Sequence, residues 1–139
     1  MSIESNKVAV RRFFDTIWVQ HRIEDITEFV REDVVGNDPE FGTSVESFVE
    51  QWKGWLRAFP DVRIDLDEIV AESDRVACRW TMTGTHQDEY MGILPTGKQI
   101  KISGTSFDRL VDGKIAQGFD CWDAKRLHEQ LRSSADERT

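Results

Sequence analysis

The hydrophobic period of this chain changes once, at Pro60, and that change constrains the fold more than any motif does. Before it, apolar residues recur at helical spacing. Val10, Phe13, Phe14, Ile17 and then His21 predict a long amphipathic helix over residues 6–20, with Ser5 as its N-cap. Ile26, Phe29 and Val30 predict a shorter helix over 23–30, closed by Arg31, Glu32 and Asp33. Gly36, Asn37, Asp38, Pro39 and Gly42 crowd residues 34–42 with turn formers, which leaves room for a short strand and a loop. From Thr43 or Ser44, a third helix carries Val45, Phe48, Val49, Trp52, Trp55, Leu56 and Phe59, and Pro60 stops it.

After Pro60 the period is two. Val62, Ile64 and Leu66 alternate with charges, and Ile69 and Val70 resume after a bulge. Val76, Cys78, Trp80, Met82 and Gly84 form the inward set of a second strand that ends at His86. A loop over 87–97, a strand over 98–110, a turn at Val111-Asp112-Gly113, a strand over 114–122 and a helix over 124–131 complete the chain, with a fraying polar tail. Helices first and an antiparallel meander afterwards mean α+β, not a doubly wound parallel sheet. Bulges and the strand glycines Gly104 and Gly118 let the meander curl around the helices and enclose a cavity for a small ligand.

Composition narrows the partners. A chain of 139 residues is about one domain's worth, and 39% hydrophobic residues supply a core. Against 18 Lys plus Arg stand 26 Asp plus Glu, a net charge of −8, so the mean field repels phosphate backbones and anionic lipid: no nucleic acid and no membrane partner is expected. No apolar run reaches the roughly 20 residues of a membrane span, and the start MSIESNK lacks the apolar core of a signal peptide, which points to the cytoplasm. The 12 Arg and six Lys in so acidic a chain fit a salt-adapted cytoplasm or simply a soluble acidic surface. Cys78 and Cys121 have no metal-ligand spacing and read as buried small apolar residues.

There is no P-loop, GxGxxG, GxSxG, HExxH or EF-hand loop, which leaves acid/base chemistry without a cofactor or metal. Asp120 stands out in the last strand, flanked on its own face by Ala116, Gly118 and Trp122. A three-residue turn with Gly113 left-handed would set Gly118 opposite Ser106 and Asp120 opposite Gly104, so that Ser106 and Asp120 share a face; a two-residue turn would flip the parity. Set in an apolar pocket, Asp120 would have its pKa raised by burial. Asp123 reads as the N-cap of the last helix, and an outward surface acid is the alternative for Asp120. His86 is either an acid/base partner at the pocket mouth or the residue that holds the 87–97 loop; His21 and His128 read as surface or helix-end residues. Asn37 is a ligand-binding amide or a turn residue. Trp18, Trp55, Trp80, Met82, Tyr90 and Trp122, with Ser106, are the candidate pocket lining, suited to a flat or otherwise apolar ligand.

The pieces Gly84-Thr85-His86, GILPTGK from Gly92, Asp112-Gly113-Lys114-Ile115 and Trp122-Asp123 before a Leu/Gln-rich helix, together with Phe59-Pro60-Asp61, resemble the SnoaL-like polyketide cyclases, or ester cyclases, of the nuclear-transport-factor-two-like superfamily. The resemblance covers nearly the whole chain. It implies a cone-shaped, curved antiparallel sheet wrapped around N-terminal helices, and ring closure by intramolecular aldol condensation without a cofactor, with Asp120 as general base toward an activated C–H. It also implies a His where this chain has Ser106, and a hydroxyl is a poor proton carrier near neutral pH. Two alternatives therefore stand beside the cyclase: a non-catalytic ligand-binding member, or an isomerase or hydrolase on the same scaffold. Asp108, Arg79 and Arg109 are the residue types of the water-activating set in related epoxide hydrolases, but their parities and spacing do not match. The superfamily's outer sheet face commonly pairs with a second copy; here Thr81, Thr83, Ser103, Thr105 and Phe107 would form that face in a homodimer.

Overall fold

Ser2, and not Ser5, caps the first helix. In the computed structural model of the chain, which describes residues 2–36 and 44–132, helix α1 spans Ile3–Phe13. Ser2 Oγ accepts from the Ser5 N–H and Ser5 Oγ from the Ser2 N–H, each at 3.0 Å, a reciprocal box that satisfies two end donors. Phe14–Val19 continue as a π-helical turn, and Phe13, Phe14, Ile17 and Trp18 are all buried. The shorter helix expected over 23–30 is a 3-10 helix, Ile23–Glu28, and Val30 already belongs to a strand, β1 (Val30–Gly36). The physical reason is tertiary: β1 lies parallel to the last strand, with Val30 beside Ile115, and the Phe29 carbonyl accepts from the Ile115 N–H at 2.8 Å. Helix α2 (Val45–Ala58) starts where expected, with Ser44 Oγ accepting from the Ser47 N–H at 3.3 Å, and Pro60 follows its end.

The sheet has five strands in the order β1-β5-β4-β3-β2, where β2 is Arg63–Glu72, β3 Arg75–Thr85, β4 Gln99–Val111 and β5 Lys114–Trp122. Four form the antiparallel meander, and the bulge expected in β2 falls between Leu66 and Glu68. The sheet is curved and unclosed, an α+β cone around the N-terminal helices. Strand β4 states its two faces most clearly: Ile100, Ile102, Gly104, Ser106, Asp108 and Leu110 are buried, whereas Lys101, Ser103, Thr105 and Phe107 are exposed.

The β4–β5 register differs from the expected one by two residues. The turn is the two-residue loop Asp112-Gly113, both left-handed (φ 52° and 78°), which by itself reverses the face of every β5 residue. A bulge between Leu110–Ile115 and Arg109–Gln117 adds Ala116 to β5 and reverses it back. Ser106 therefore pairs with Asp120, Gly104 with Trp122 and Asp108 with Gly118. Beyond β5, Asp123 Oδ1 accepts from the Arg126 N–H at 2.9 Å and caps α3 (Ala124–Arg132), which buries Leu127 and Leu131. Asp61 ties the α2–β2 corner to the end of β3, taking Thr85 N–H and Oγ1–H at 2.7 Å each. Cys78 is buried, but Cys121 is exposed, because the β5 register turns it to the outer face. Among the described residues no helix is long and apolar enough to cross a membrane.

Candidate functional site

The inner face of the sheet and the helices α1 and α2 enclose one apolar cavity of about 110 Å³. Phe13, Phe14 and Trp18 contribute from the first helical segment, Phe48, Gln51 and Trp55 from α2, and Ile64, Trp80, Met82 and Ile115 from the strands. Its polar side chains on the sheet are Ser106, Asp108 and Asp120. The buried lining forms the floor, and the partly exposed Gly36, Gln51, Trp55 and Trp122 stand with the exposed Asp120 at the mouth. A volume of this size matches a single-ring fragment, and the cavity opens to solvent at that mouth.

Three side chains form a chain of hydrogen bonds across three strands. Trp80 Nε1–H donates to Ser106 Oγ at 2.9 Å, and Ser106 Oγ–H donates to Asp120 Oδ1 at 2.6 Å. Ser106 has thus committed its one proton to a carboxylate, a short charge-assisted bond, and it orients Asp120 instead of presenting a donor to a ligand. Gly104 makes room for this: a Cβ there would overlap the Trp80 indole and lie 3.0 Å from Trp122 Cβ.

Asp120 itself is exposed at the mouth, which differs from the buried carboxylate expected of it. The buried one is Asp108, two residues from Ser106 on the same face and only 5% exposed. Burial, and then the neighbouring Asp120 carboxylate, push its carboxyl well above the usual carboxylate range. The sequence signal for Asp108 is the alternation of β4, which puts it on the parity of Ser106. Arg79 and Arg109 face outward, Arg79 onto Glu68 at 2.7 Å and Arg109 onto Asp74 at 3.8 Å.

Other expected residues lie elsewhere. His86 is fully buried but does not line the cavity: the Thr96 N–H donates to its Nδ1 at 3.2 Å, its ring lies 5.4 Å from Phe59, and its Nε2 has no partner among the described residues. It holds the 87–97 loop to the end of β3. Tyr90 packs behind the pocket wall on Trp55, ring centroids 5.2 Å apart. His21 Nε2–H donates to the Val62 carbonyl at 2.6 Å, and the His128 ring lies 6.3 Å from Tyr90. Asn37 and the tail beyond Arg132 lie outside the described residues. Among the described residues no cluster of three or more His, Cys, Asp or Glu could hold a metal ion.

The family model of the SnoaL-like polyketide cyclases matches residues 8–131. The chain belongs to this family. Among solved structures, AclR, a candidate hydroxylase of Streptomyces galilaeus, is 32% identical, with 94% of this chain and 86% of AclR covered at a TM-score of 0.83. A candidate polyketide cyclase of Acidithiobacillus ferrooxidans is 26% identical over 97% of this chain and 100% of that one, also at 0.83. TsrD of Streptomyces laurentii shares the fold at a TM-score of 0.87 with 20% identity, covering 96% and 99%. No curated protein matches the sequence. Ser106, held between Trp80 and Asp120, fixes the orientation of the Asp120 carboxyl.

Proposed function

We propose that this SnoaL-like protein is a cofactor-independent, cyclase-type enzyme that closes a ring in a small, largely apolar carbonyl compound, with Asp120 as acid and base. The observation that carries the reading is the 2.6 Å bond from Ser106 to Asp120 Oδ1, backed by Trp80, at the mouth of an aromatic-lined cavity. Asp120 takes the proton from a C–H between two carbonyl groups, and the C–H electron pair becomes an enolate spread over the substrate's own π-system. The enolate carbon bonds to a second carbonyl carbon of the same molecule, the C=O π pair moves to oxygen, and Asp120 returns the proton there. Trp18, Trp55, Trp80 and Trp122 supply flat walls that hold a conjugated chain folded for that attack.

A homodimer belongs to the same reading. Val70, Ala77, Phe107 and Phe119 stand in register across β2 to β5 on the outer face, and Val70, Phe107 and Phe119 are exposed at 63%, 45% and 46%. Such an apolar row is self-complementary about a two-fold axis and would be covered by its copy.

The test screens β-keto esters and aromatic polyketide mimics. Aldol closure leaves the product mass unchanged or lower by one water, whereas a hydroxylation, the activity for which AclR is a candidate, adds an oxygen. Asp120→Asn is expected to keep ligand affinity and to slow the chemical step by roughly 100- to 10,000-fold. Ser106→Ala, which removes a hydrogen bond to a charged group worth about 1.5–3 kcal/mol, should slow it by about 10- to 100-fold. Turnover by Asp120→Asn at the parent rate would remove Asp120 as the base and leave a binding protein or another reacting group.

A further inference from the structure

Among the described residues, Asp108 is the one carboxyl on the inner face of the sheet that the reaction above does not use. It projects from β4 toward β5 at Gly118, where a Cβ would lie 3.2 Å from its Oδ1, so the carboxyl occupies the space that a side chain at 118 would fill. It makes no hydrogen bond and no ion pair among the described residues, yet its oxygens are not among the sealed-off atoms that lack a partner, so they reach the cavity that Asp108 lines. The titratable groups that face it are Asp120 on β5 and Cys78 on β3, and the Arg11 guanidinium of α1 bears on Cys78. An ionised Asp108 would be a buried anion beside a second carboxylate with no cation, the costliest arrangement available to it. Protonated, it has one O–H to donate and no acceptor among the described residues.

We propose that Asp108 is a second catalytic residue, the neutral hydrogen-bond donor that holds the substrate's carbonyl oxygen while Asp120 takes and returns the proton. This rests on Asp120 serving as the base, and it adds a division of labour: two carboxyls on one face, one exposed at the mouth that takes and returns the proton, the other buried and holding its own. Asp108 keeps its proton throughout, so the step needs no co-reactant. It polarises the carbonyl under attack and meets the negative charge that grows on that oxygen in a cavity poor in water, where a fixed donor acts most strongly. It also supplies the donor that Ser106, committed to Asp120, cannot. The substrate class follows: a compound whose electrophilic carbonyl reaches the floor of the cavity while its acidic C–H sits at the mouth.

Infrared difference spectroscopy tests this without a substrate. A protonated-carboxyl C=O band should persist at neutral pH, vanish in Asp108→Asn and remain in Asp120→Asn. The second probe is 4-nitrophenol, a single ring whose phenolate oxygen imitates the enolate. Asp108→Asn, which keeps an N–H donor, should bind the phenolate within about 3-fold of the parent, and Asp108→Leu about 10- to 100-fold more weakly. Absence of the band, failure of the parent to bind the phenolate, or tighter binding by Asp108→Asn, as expected from relief of an anion, would each overturn the assignment. Those outcomes leave the effect of Asp120→Asn on turnover untouched; conversely, full turnover by Asp120→Asn with the band intact would sink the base and keep the donor.

Discussion

On the outer face of the sheet Glu68 sits 2.7 Å from Arg79 and Asp65 2.8 Å from Arg63, with all four side chains well exposed. On the inner face Asp108 is only 5% exposed and has no cation among the described residues. The outer acids are solvated, and their pairs are of the kind that contributes little to stability. The inner acid changes its ionisation instead, because a buried carboxylate without a partner is more costly than a neutral carboxyl. With 26 acidic residues in the chain, number and spacing identify no functional acid; the face of the sheet does. The same division explains why Trp80, Ser106 and Asp120 form a directed chain inside, whereas Thr105 and Phe107, one step away on β4, lie exposed on the outer face.

Substitution on the two faces of one strand offers the sharpest test. Gly104→Ala places a methyl into the Trp80 indole and should cost about 1–3 kcal/mol as overpacking while loosening the Trp80–Ser106 bond. Ser103→Ala, its outward neighbour, should stay within about 0.5 kcal/mol in the same denaturant titration. Equal effects would break the comparison. The next largest effect is a slope with pH. Because the folded-state pKa of Asp108 is raised, its contribution is fully present below the unfolded value of about 3.9 and is lost as pH rises through the folded value, by about 1.4 kcal/mol per pH unit in between. The parent should therefore lose stability relative to Asp108→Asn as pH rises from about 4 toward neutral. Parallel curves would place Asp108 with the solvated acids of the outer face.

The change of period at Pro60 made the fold legible, and so did the alternation in β3 and β4, since burial on one face leaves little freedom in which residues point inward. What sequence could not supply were the two compensating irregularities around the last turn. The left-handed Asp112 permits a two-residue loop, and the bulge at Ala116 has no local mark, so the shared face of Ser106 and Asp120 was legible while their direct opposition was not. Strand β1 was misread for a related reason: Arg31, Glu32 and Asp33 look like a helix end, and only pairing with β5 makes them a strand. Burial of Asp108 in place of Asp120 depends on how far each lies from the mouth, a distance that alternation does not encode.

A smaller effect tests the outer face. Phe107→Lys puts a charge into the row Val70, Ala77, Phe107 and Phe119 and should leave stability within about 0.5 kcal/mol, while sedimentation at micromolar concentration moves from a dimer toward the 16.1 kDa chain. A parent already at 16.1 kDa would remove the dimer.

The smallest effect is one of rates, and it compares the faces through their cysteines. Cys78 points inward and is buried, and that burial pushes its thiol up to about 12. Cys121 is exposed on β5, paired with Thr105 beside the apolar row. Thiolate is the reacting form, so at about pH 8 on the order of one Cys78 in 10,000 is ionised, and that one is also shielded. Iodoacetamide followed by intact-mass measurement should add one label per folded chain, at Cys121, and a second only after denaturation. If the outer faces meet, that first label should slow as protein concentration rises through the dimer transition, and Phe107→Lys should restore its speed. Equal labelling of both cysteines in the folded chain would mean that the inner face is open to solvent, and the contrast between the two faces would fall with it.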